Sequence, residues 1–281
     1  MTDNFVRTFL TLLFITNTIF SFSQDVKGPE PAISTNSIEA TYDVVFSQDF
    51  EHHQSPIEYS KALWNPDWNN PGWRDGDNRT EGWWVENIKD SIVRDDETGS
   101  TVMKFNFKDT LIGEWNGHSP WRGGDFWVTE LGKEAKEIYF SYNVKFKPGF
   151  EWNLGGKLPG TRGGGEFSME TKMNGLPPGE GEGYNCFVMF KSEGRLQWYL
   201  YHHNQVKEQW GDNITWNDYQ PEGLDYTSGG AVSLDVSEER WYNITIRVAI
   251  NSFTNGQPNH DGLMEGFVDG KLVSSIRDLY L

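Results

Sequence analysis

Hydrophobic and polar residues alternate with a period of two along several segments of the chain, and long amphipathic helical patterns are nearly absent. In residues 137–147 and 240–251, apolar and aromatic side chains occupy every second position. Shorter segments at 43–51 and 100–109 show the same pattern. Such alternation is typical of β-strands with one buried face. The pattern therefore predicts an all-β fold.

Turn signals divide these segments into hairpins. Asp269-Gly270, inside residues 266–276, is a dipeptide that suits a two-residue type I′ turn. Residues 183–205 predict a second hairpin, with strands at 184–191 and 195–203 around a turn at 192–194. The glycine-rich segment 151–165 predicts a loop with a type II turn at Pro159-Gly160. Many antiparallel strands with glycine-rich connections predict a β-jelly roll sandwich whose concave face forms a cleft.

The amino-terminal segment is typical of a secretory signal peptide. Residues 1–24 contain Arg7, an apolar run of about fourteen residues and small residues before the expected cleavage point. The run is too short and too often interrupted by polar residues to span a bilayer comfortably, so a retained anchor helix is the less favoured alternative. Residues 25–41 are polar and predict a flexible linker, and residues 42–281 predict one domain. We expect a secreted or periplasmic protein without membrane association.

The net charge is −17 and the chain has one cysteine, Cys186. A nucleic-acid-binding protein would need a basic surface that this composition does not favour. An internal disulfide is excluded, and a monomer held by burial and hydrogen bonds is expected. An anionic ligand would require a locally basic groove, because the overall field of the protein repels it.

Candidate chemistry lies on the second strand of the hairpin and in the glycine-rich segment. Alternation predicts one strand face that carries Gln197, Tyr199, Tyr201 and His203. This face is too polar for an ordinary core, and two tyrosines spaced i, i+2 can reach the same ligand. The glycine-rich segment adds two cations, Lys157 and Arg162.

Two motifs carry a resemblance to a known family. GGKLPG at 155–160, followed by GYNCFVMFKSEGRLQWYLYHHNQ at 183–205, resembles polysaccharide lyase family 14, the alginate and glucuronan lyases. The family 20 glucuronan lyases are more distantly similar. The resemblance covers roughly residues 138–280 and implies a jelly-roll enzyme. It also implies that Lys157, Tyr199 and Tyr201 are catalytic.

The sequence departs from the family at one pair of positions. The family has Ser-x-Arg on the preceding strand, where this chain has Asn185 and Phe187. Asn185 can replace serine as a hydrogen-bonding group, whereas Phe187 cannot replace a cation. Three other cations are candidate substitutes: Arg162, Arg247 and, less favoured, Lys191. The predicted substrate-binding residues are Asn185, Arg162, Arg247, Gln197 and His203.

The resemblance implies cleavage of a 1,4-linked polyuronate, alginate or glucuronan, by β-elimination. Such a reaction needs a neutralised carboxylate, a base for the C5 proton and an acid for the leaving oxygen. A non-catalytic carbohydrate-binding protein on the same scaffold is the main alternative. A glycoside hydrolase would need two carboxylates at one cleft, for which Glu166 and Glu170 are a candidate pair.

No cofactor is expected, and no metal is assigned to the catalytic site. A structural calcium ion near residues 48–51 is a less favoured alternative to a solvated strand end. The chain ends at SSIRDLYL, whereas the resembling families continue through further strands, so the sequence is either a fragment or lacks the last strands of the family.

Overall fold

The computed structural model describes most of the predicted domain and part of the amino-terminal segment. The described residues are 10–21, 38, 42–67, 91–107, 135–150, 152, 155–163, 183–203, 205, 211–216, 233–235 and 239–281. The candidate pair Glu166 and Glu170 lies outside these residues, as does most of the predicted linker at 25–41.

Nine strands form the larger sheet, and they pair antiparallel. They are β1 (Leu10–Ser21), β2 (Asp43–Phe46), β3 (Ile57–Glu58), β4 (Ser91–Arg94), β5 (Thr101–Phe107), β6 (Glu137–Phe146), β11 (Trp241–Ala249), β14 (Gly262–Val268) and β15 (Lys271–Leu279). Their order is β15-β14-β11-β6-β1-β5-β4-β3, and β2 pairs with β1.

A second sheet has four strands in the order β10-β9-β8-β7. Its strands are β7 (Gly156–Gly163), β8 (Tyr184–Phe190), β9 (Leu196–Tyr201) and β10 (Asp212–Thr215). A small hairpin, β12 (Phe253–Thr254) and β13 (Gln257–Pro258), a short helix, α1 (Lys61–Asp67), and a 3-10 turn at Ser192–Gly194 between β8 and β9 are also described. None of the described helices is long and apolar enough to cross a membrane.

The two sheets pack face to face around one hydrophobic core, which confirms the predicted jelly-roll sandwich. The larger sheet contributes Val144, Ile244 and Met264, and the smaller sheet contributes Val188 and Trp198, all fully buried. Every second residue of β6 and β11 faces this core, as the alternation predicts. The indole nitrogen of Trp198 donates to Ser274 Oγ of the opposite sheet at 2.9 Å.

The hairpin predicted at Asp269-Gly270 is confirmed. Both residues have positive φ, 50° and 76°, as a type I′ turn requires, and they connect β14 to β15. The strand predicted at 43–51 is shorter than expected, since β2 ends at Phe46. The chain then turns at Phe50, whose φ is 58°.

The type II turn predicted at Pro159-Gly160 is wrong. Residues 156–163 form strand β7, and the pairing with β8 shifts between Leu158 and Gly160 as a bulge at Pro159. Proline lacks an N–H, and it is tolerated here because β7 is an edge strand. A Cβ at Gly160 would lie 1.9 Å from the carbonyl oxygen of Cys186, so the strands approach closely enough to require glycine.

Strand β1 lies within the predicted signal peptide. It occupies a central position in the larger sheet, where it pairs with β6 on one side and, at its two ends, with β5 and β2 on the other. Strands β5 and β6 therefore have no direct ladder between them along the sheet order.

Candidate active site

One face of the four-stranded sheet is buried in the core, and the other carries most of the predicted site. On the core side, Cys186, Val188, Trp198 and Leu200 are fully buried. Because side chains alternate along a strand, the residues between them point to the opposite face. Three rows of paired residues cross that face. They are Lys157, Met189, Gln197 and Thr215; Gly160, Phe187, Tyr199 and Asn213; and Arg162, Asn185 and Tyr201.

The two tyrosines of this face contact each other directly. Their hydroxyl oxygens lie 2.9 Å apart, and their ring centroids lie 5.2 Å apart. Tyr201 is only 3% exposed, whereas Tyr199 is partly exposed. Burial raises the pKa of Tyr201 above the usual tyrosine range, and the hydrogen bond with Tyr199 raises it further. Tyr201 therefore keeps its proton, which is available for donation to the Tyr199 oxygen.

Lys157 leans from its own row towards the tyrosines. Its ammonium nitrogen lies 4.4 Å from the ring centroid of Phe187 and 5.4 Å from that of Tyr199. A cation in this position is attracted by the aromatic faces. Phe187, which replaces the family arginine, thus supports the lysine from the neighbouring strand. Phe187 carries no charge of its own, and its ring instead attracts the positively charged ammonium of Lys157.

The glycines beside Lys157 explain how β7 approaches the sheet. Gly155 has a φ of 65°, a conformation that other residues rarely adopt. A Cβ at Gly156 would lie 2.4 Å from the ring of Phe190, a core residue of β8. Larger side chains at these positions would push the lysine-bearing strand away from β8. The glycines of the motif therefore position Lys157 by allowing the backbone of β7 to lie close to β8.

Asn185, Arg162 and Gln197 also lie on the site face. Asn185 is 3% exposed and is paired in register with Tyr201 on one side and Arg162 on the other. Arg162 is exposed on the edge strand β7. Its backbone lies two strand positions, and therefore about 10 Å, from the backbone of Tyr201. Gln197 donates to the Asn213 Oδ1 atom at 2.7 Å.

Two residues predicted to bind substrate lie elsewhere. Arg247 belongs to β11 of the larger sheet, where its side chain is buried between Glu137 at 2.6 Å and Glu265 at 2.8 Å. Its prediction as a substitute cation is wrong, because both carboxylates already engage the guanidinium. His203 lies beyond the end of β9, and its ring packs on Tyr280 with centroids 4.2 Å apart. Strand alternation no longer applies there, so the alignment of His203 with the tyrosines stays a prediction.

Sequence reasoning did not select Met189 and Asn213, which complete the rows beside Gln197 and Tyr199. Met189 could have been found by extending the alternation of Asn185 and Phe187 by two residues. Asn213 belongs to a strand of four residues, too short for a periodic pattern to stand out.

The site face is locally basic in an acidic protein. On the outward face of β7 to β10, the charged side chains are Lys157 and Arg162, both positive, while the whole chain has a net charge of −17. Among the described residues, the group able to hold a metal ion is His52, His53 and Asp67, and none of these belongs to the four-stranded sheet.

The motifs of this chain agree with its family match. The polysaccharide lyase family 14 sequence model matches residues 95–281. The structure of alginate lyase Aly36B is similar with a TM-score of 0.44 and 19% identity, covering 83% of this chain and 78% of that chain. The same enzyme has also been solved in mutant form with an alginate tetrasaccharide.

Two further alginate lyase structures are similar. The enzyme vAL-1 from Chlorella virus has a TM-score of 0.38 and 19% identity, covering 69% of this chain and 73% of that chain. The family 14 alginate lyase from Aplysia kurodai has a TM-score of 0.37 and 21% identity, covering 52% of this chain and 54% of that chain. A search of curated protein sequences gives no significant match. Because the family model covers about two thirds of the sequence, the chain belongs to polysaccharide lyase family 14 and is a lyase that acts on polyuronates.

Proposed function

We propose that this enzyme cleaves a 1,4-linked polyuronate, alginate or glucuronan, by β-elimination on the outward face of the four-stranded sheet. The observation that carries the proposal is the contact of Lys157 with Tyr199, which is itself hydrogen-bonded to Tyr201. This places a cation and two proton-carrying groups at one point of a locally basic face. A uronate polymer carries one negative charge per sugar, and such a face attracts it.

Lys157 neutralises the uronate carboxylate in this mechanism. Removal of the C5 proton moves negative charge onto that carboxylate, so a nearby ammonium stabilises the transition state more than the ground state. In the free enzyme, the ammonium rests against Phe187 and Tyr199. These aromatic faces attract the cation.

Tyr199 is the residue that exchanges protons with the substrate. Tyr201 is more buried and retains its proton, so it donates to the Tyr199 oxygen and stabilises the phenolate form. The Tyr199 phenolate takes the C5 proton, and the resulting phenol returns a proton to the leaving O4 atom on the same side of the sugar ring. The products are a new chain end and a 4,5-unsaturated uronate. No further co-reactant is required.

Residues of the two neighbouring rows bind the sugars on either side of the cleaved bond. Arg162, exposed on the edge strand, offers a guanidinium to a carboxylate of an adjacent sugar. Asn185 and Gln197 supply amide groups for hydroxyl oxygens. Both amides lie on the same face as the tyrosines, one beside Tyr201 and one beside Met189.

The test is a screen of purified protein against polymannuronate, polyguluronate and glucuronan. Ultraviolet absorption from unsaturated ends, lost in Tyr199→Phe, is the expected result. Binding of a polymer without any product would support the non-catalytic alternative. Reducing ends without unsaturation would instead identify a hydrolase, and either outcome would overturn the proposal.

We further propose that the protein is exported and that its leader ends near residue 24. The support is the composition of residues 1–24, a short polar head followed by an apolar run and small residues. Intact mass measurement of protein recovered outside the cytoplasm tests this. A mature chain that begins near residue 25 is expected, and a full-length chain in that fraction would contradict the proposal.

A further inference from the structure

Two histidines and one aspartate converge at a second place in the molecule. His52 Nε2 lies 2.8 Å from Asp67 Oδ1, and His53 Nε2 lies 2.6 Å from Asp67 Oδ2. All three ligand atoms lie within 4.8 Å of one another. These residues precede the segment 95–281 that the family model matches. The cluster is therefore a feature that family membership does not explain.

Local backbone geometry brings adjacent histidines to the same side. In a strand, neighbouring side chains would point to opposite faces. Residues 50–53 instead form a turn in which Phe50 has a φ of 58° and the His53 N–H donates to the Phe50 carbonyl oxygen at 3.0 Å. The two imidazole centroids lie only 4.0 Å apart. Asp67 is the last residue of α1, so the cluster joins this turn to the end of the helix.

The carboxylate of this cluster is deeply buried. The Asp67 side chain is 1% exposed, that of His53 is 8% exposed and that of His52 is 54% exposed. A buried carboxylate needs compensating positive charge or strong hydrogen bonds. In the part of the chain that the structure describes, the groups that pair with the Asp67 carboxylate are these two imidazoles. The Tyr59 hydroxyl is a neutral donor to it at 2.7 Å.

We propose that His52, His53 and Asp67 bind a divalent transition metal ion of the zinc type. Two imidazole nitrogens and a carboxylate oxygen are a common donor set for Zn²⁺, whose tetrahedral ligands lie about 3.3 Å from one another. The nitrogen-to-oxygen distances require only a small outward movement to reach this spacing. Each imidazole would bind through Nε2 and hold its proton on Nδ1. Because the His52 side chain is half exposed, a water molecule can reach the fourth coordination position of the ion.

The surroundings provide outer support for the ligands. The Tyr59 hydroxyl donates to Asp67 Oδ2, and the Gln48 amide donates to the Asp67 carbonyl oxygen at 3.1 Å. Such contacts orient metal ligands and raise affinity. On the other side of the turn, Glu51 accepts hydrogen bonds from Thr101 N and Oγ1 at 2.7 and 2.9 Å. A bound ion would thus link α1 to a turn that is already hydrogen-bonded to β5.

The donor set also separates this site from the calcium predicted near residues 48–51. Calcium prefers about six to eight oxygen ligands, whereas two of these three ligands are nitrogens. The Glu51 carboxylate is occupied by Thr101 and Arg94, and Asp49 Oδ1 accepts from the Glu51 N–H at 3.0 Å. The calcium prediction remains a separate one, and Ca²⁺ belongs in the test as its own arm.

The experiment uses the full chain, depleted of metal with a chelator and titrated with Zn²⁺ against a competing indicator dye. One ion per chain is expected, with a rise in Tm of about 5 to 10 °C at saturating Zn²⁺. Cobalt(II) should give the intense visible absorption of a tetrahedral site. His52→Ala, chosen because the side chain is half exposed and the fold should survive, should lose at least about tenfold in Zn²⁺ affinity.

His260→Ala is the matched control, because it removes an imidazole that packs on Tyr280 far from Asp67 in sequence. It should bind Zn²⁺ like the unchanged protein. Asp67→Asn keeps the shape but removes the charge, and it should also abolish the Tm rise. Equal Zn²⁺ affinity in His52→Ala and the unchanged protein would overturn the proposal. Equal losses of Zn²⁺ affinity in His52→Ala and His260→Ala would also overturn it. So would a Tm that rises with Ca²⁺ but not with Zn²⁺.

Discussion

The hydroxyls of Tyr199 and Tyr201 share one hydrogen bond of 2.9 Å, and burial makes the pair unequal. Tyr201 is 3% exposed and its pKa is raised, so it is the donor of the pair when Tyr199 ionises. Two identical side chains, two residues apart on one strand, thus lie at different depths in the sheet, and the proposed mechanism gives them different roles.

This inequality predicts different effects for two otherwise equivalent variants. Tyr199→Phe should lower kcat by about 1,000-fold or more, because the proton-exchanging group is gone. Tyr201→Phe should lower kcat by roughly 10- to 100-fold and move the acidic limb of the pH–rate profile to higher pH, because the phenolate loses its donor. Unsaturated product measured from pH 5 to 10 tests both. Equal losses with unchanged profiles would refute the assignment of roles.

Lys157 should act mainly on the transition state. Lys157→Met should lower kcat by about 100- to 1,000-fold with a smaller rise in KM, because charge develops on the carboxylate during proton removal. Lys157→Arg keeps the charge and should recover part of the activity. A rise in KM with unchanged kcat in Lys157→Met would show that the lysine only binds substrate.

Phe187 should support the lysine through its ring. Phe187→Leu removes the aromatic face 4.4 Å from the ammonium and should lower kcat/KM by about 2- to 5-fold, the value of an exposed cation–π contact. Phe187→Tyr retains the face and is the matched control, with activity close to that of the unchanged enzyme. A loss in Phe187→Tyr as large as that in Phe187→Leu would point to packing instead.

The buried pair of Asp95 and Lys145 should make stability depend on pH below 4. Burial alone would raise the pKa of Asp95, but Lys145, Thr98 and Trp241 outweigh it and hold the pKa at about 2. Because this value lies below the ordinary one, the stabilisation is complete above about pH 4 and is lost as pH falls towards 2. The expected loss in free energy of unfolding over that range is about 2 kcal/mol.

Urea denaturation between pH 7 and pH 2 measures this effect. Asp95→Asn should cost about 3 kcal/mol at neutral pH, because it leaves a lysine that is 2% exposed without its closest carboxylate. Lys147→Ala removes an exposed ion pair with Glu239 and should cost less than about 1 kcal/mol. A pH dependence in Asp95→Asn as steep as in the unchanged protein would contradict the prediction.

Alternation in the sequence predicts the parts of this molecule that follow a simple period. The long strands β6 and β11, the hairpin at Asp269-Gly270 and the shared face of Tyr199 and Tyr201 all follow from it. Each depends on local geometry that a few residues determine.

Features set by distant contacts could not be predicted in the same way. Pro159-Gly160 has the composition of a turn, but pairing with β8 makes it a bulge in an edge strand. Arg247 has the polar alternation of a ligand-binding residue, yet Glu137 and Glu265 enclose it from two other strands. The cluster at Asp67 joins a turn to a helix end, and no period in the sequence connects the two.

Strand β1 lies within the segment that we propose is removed on export. If export removes residues 10–21, the order of the larger sheet divides into β15-β14-β11-β6 and β5-β4-β3, and β2 loses its partner. Two rows of backbone donors and acceptors would then face each other across an empty strand position. Cleavage of the leader would therefore change which sheet can form, and the timing of cleavage relative to folding would determine whether another segment pairs with β5 and β6.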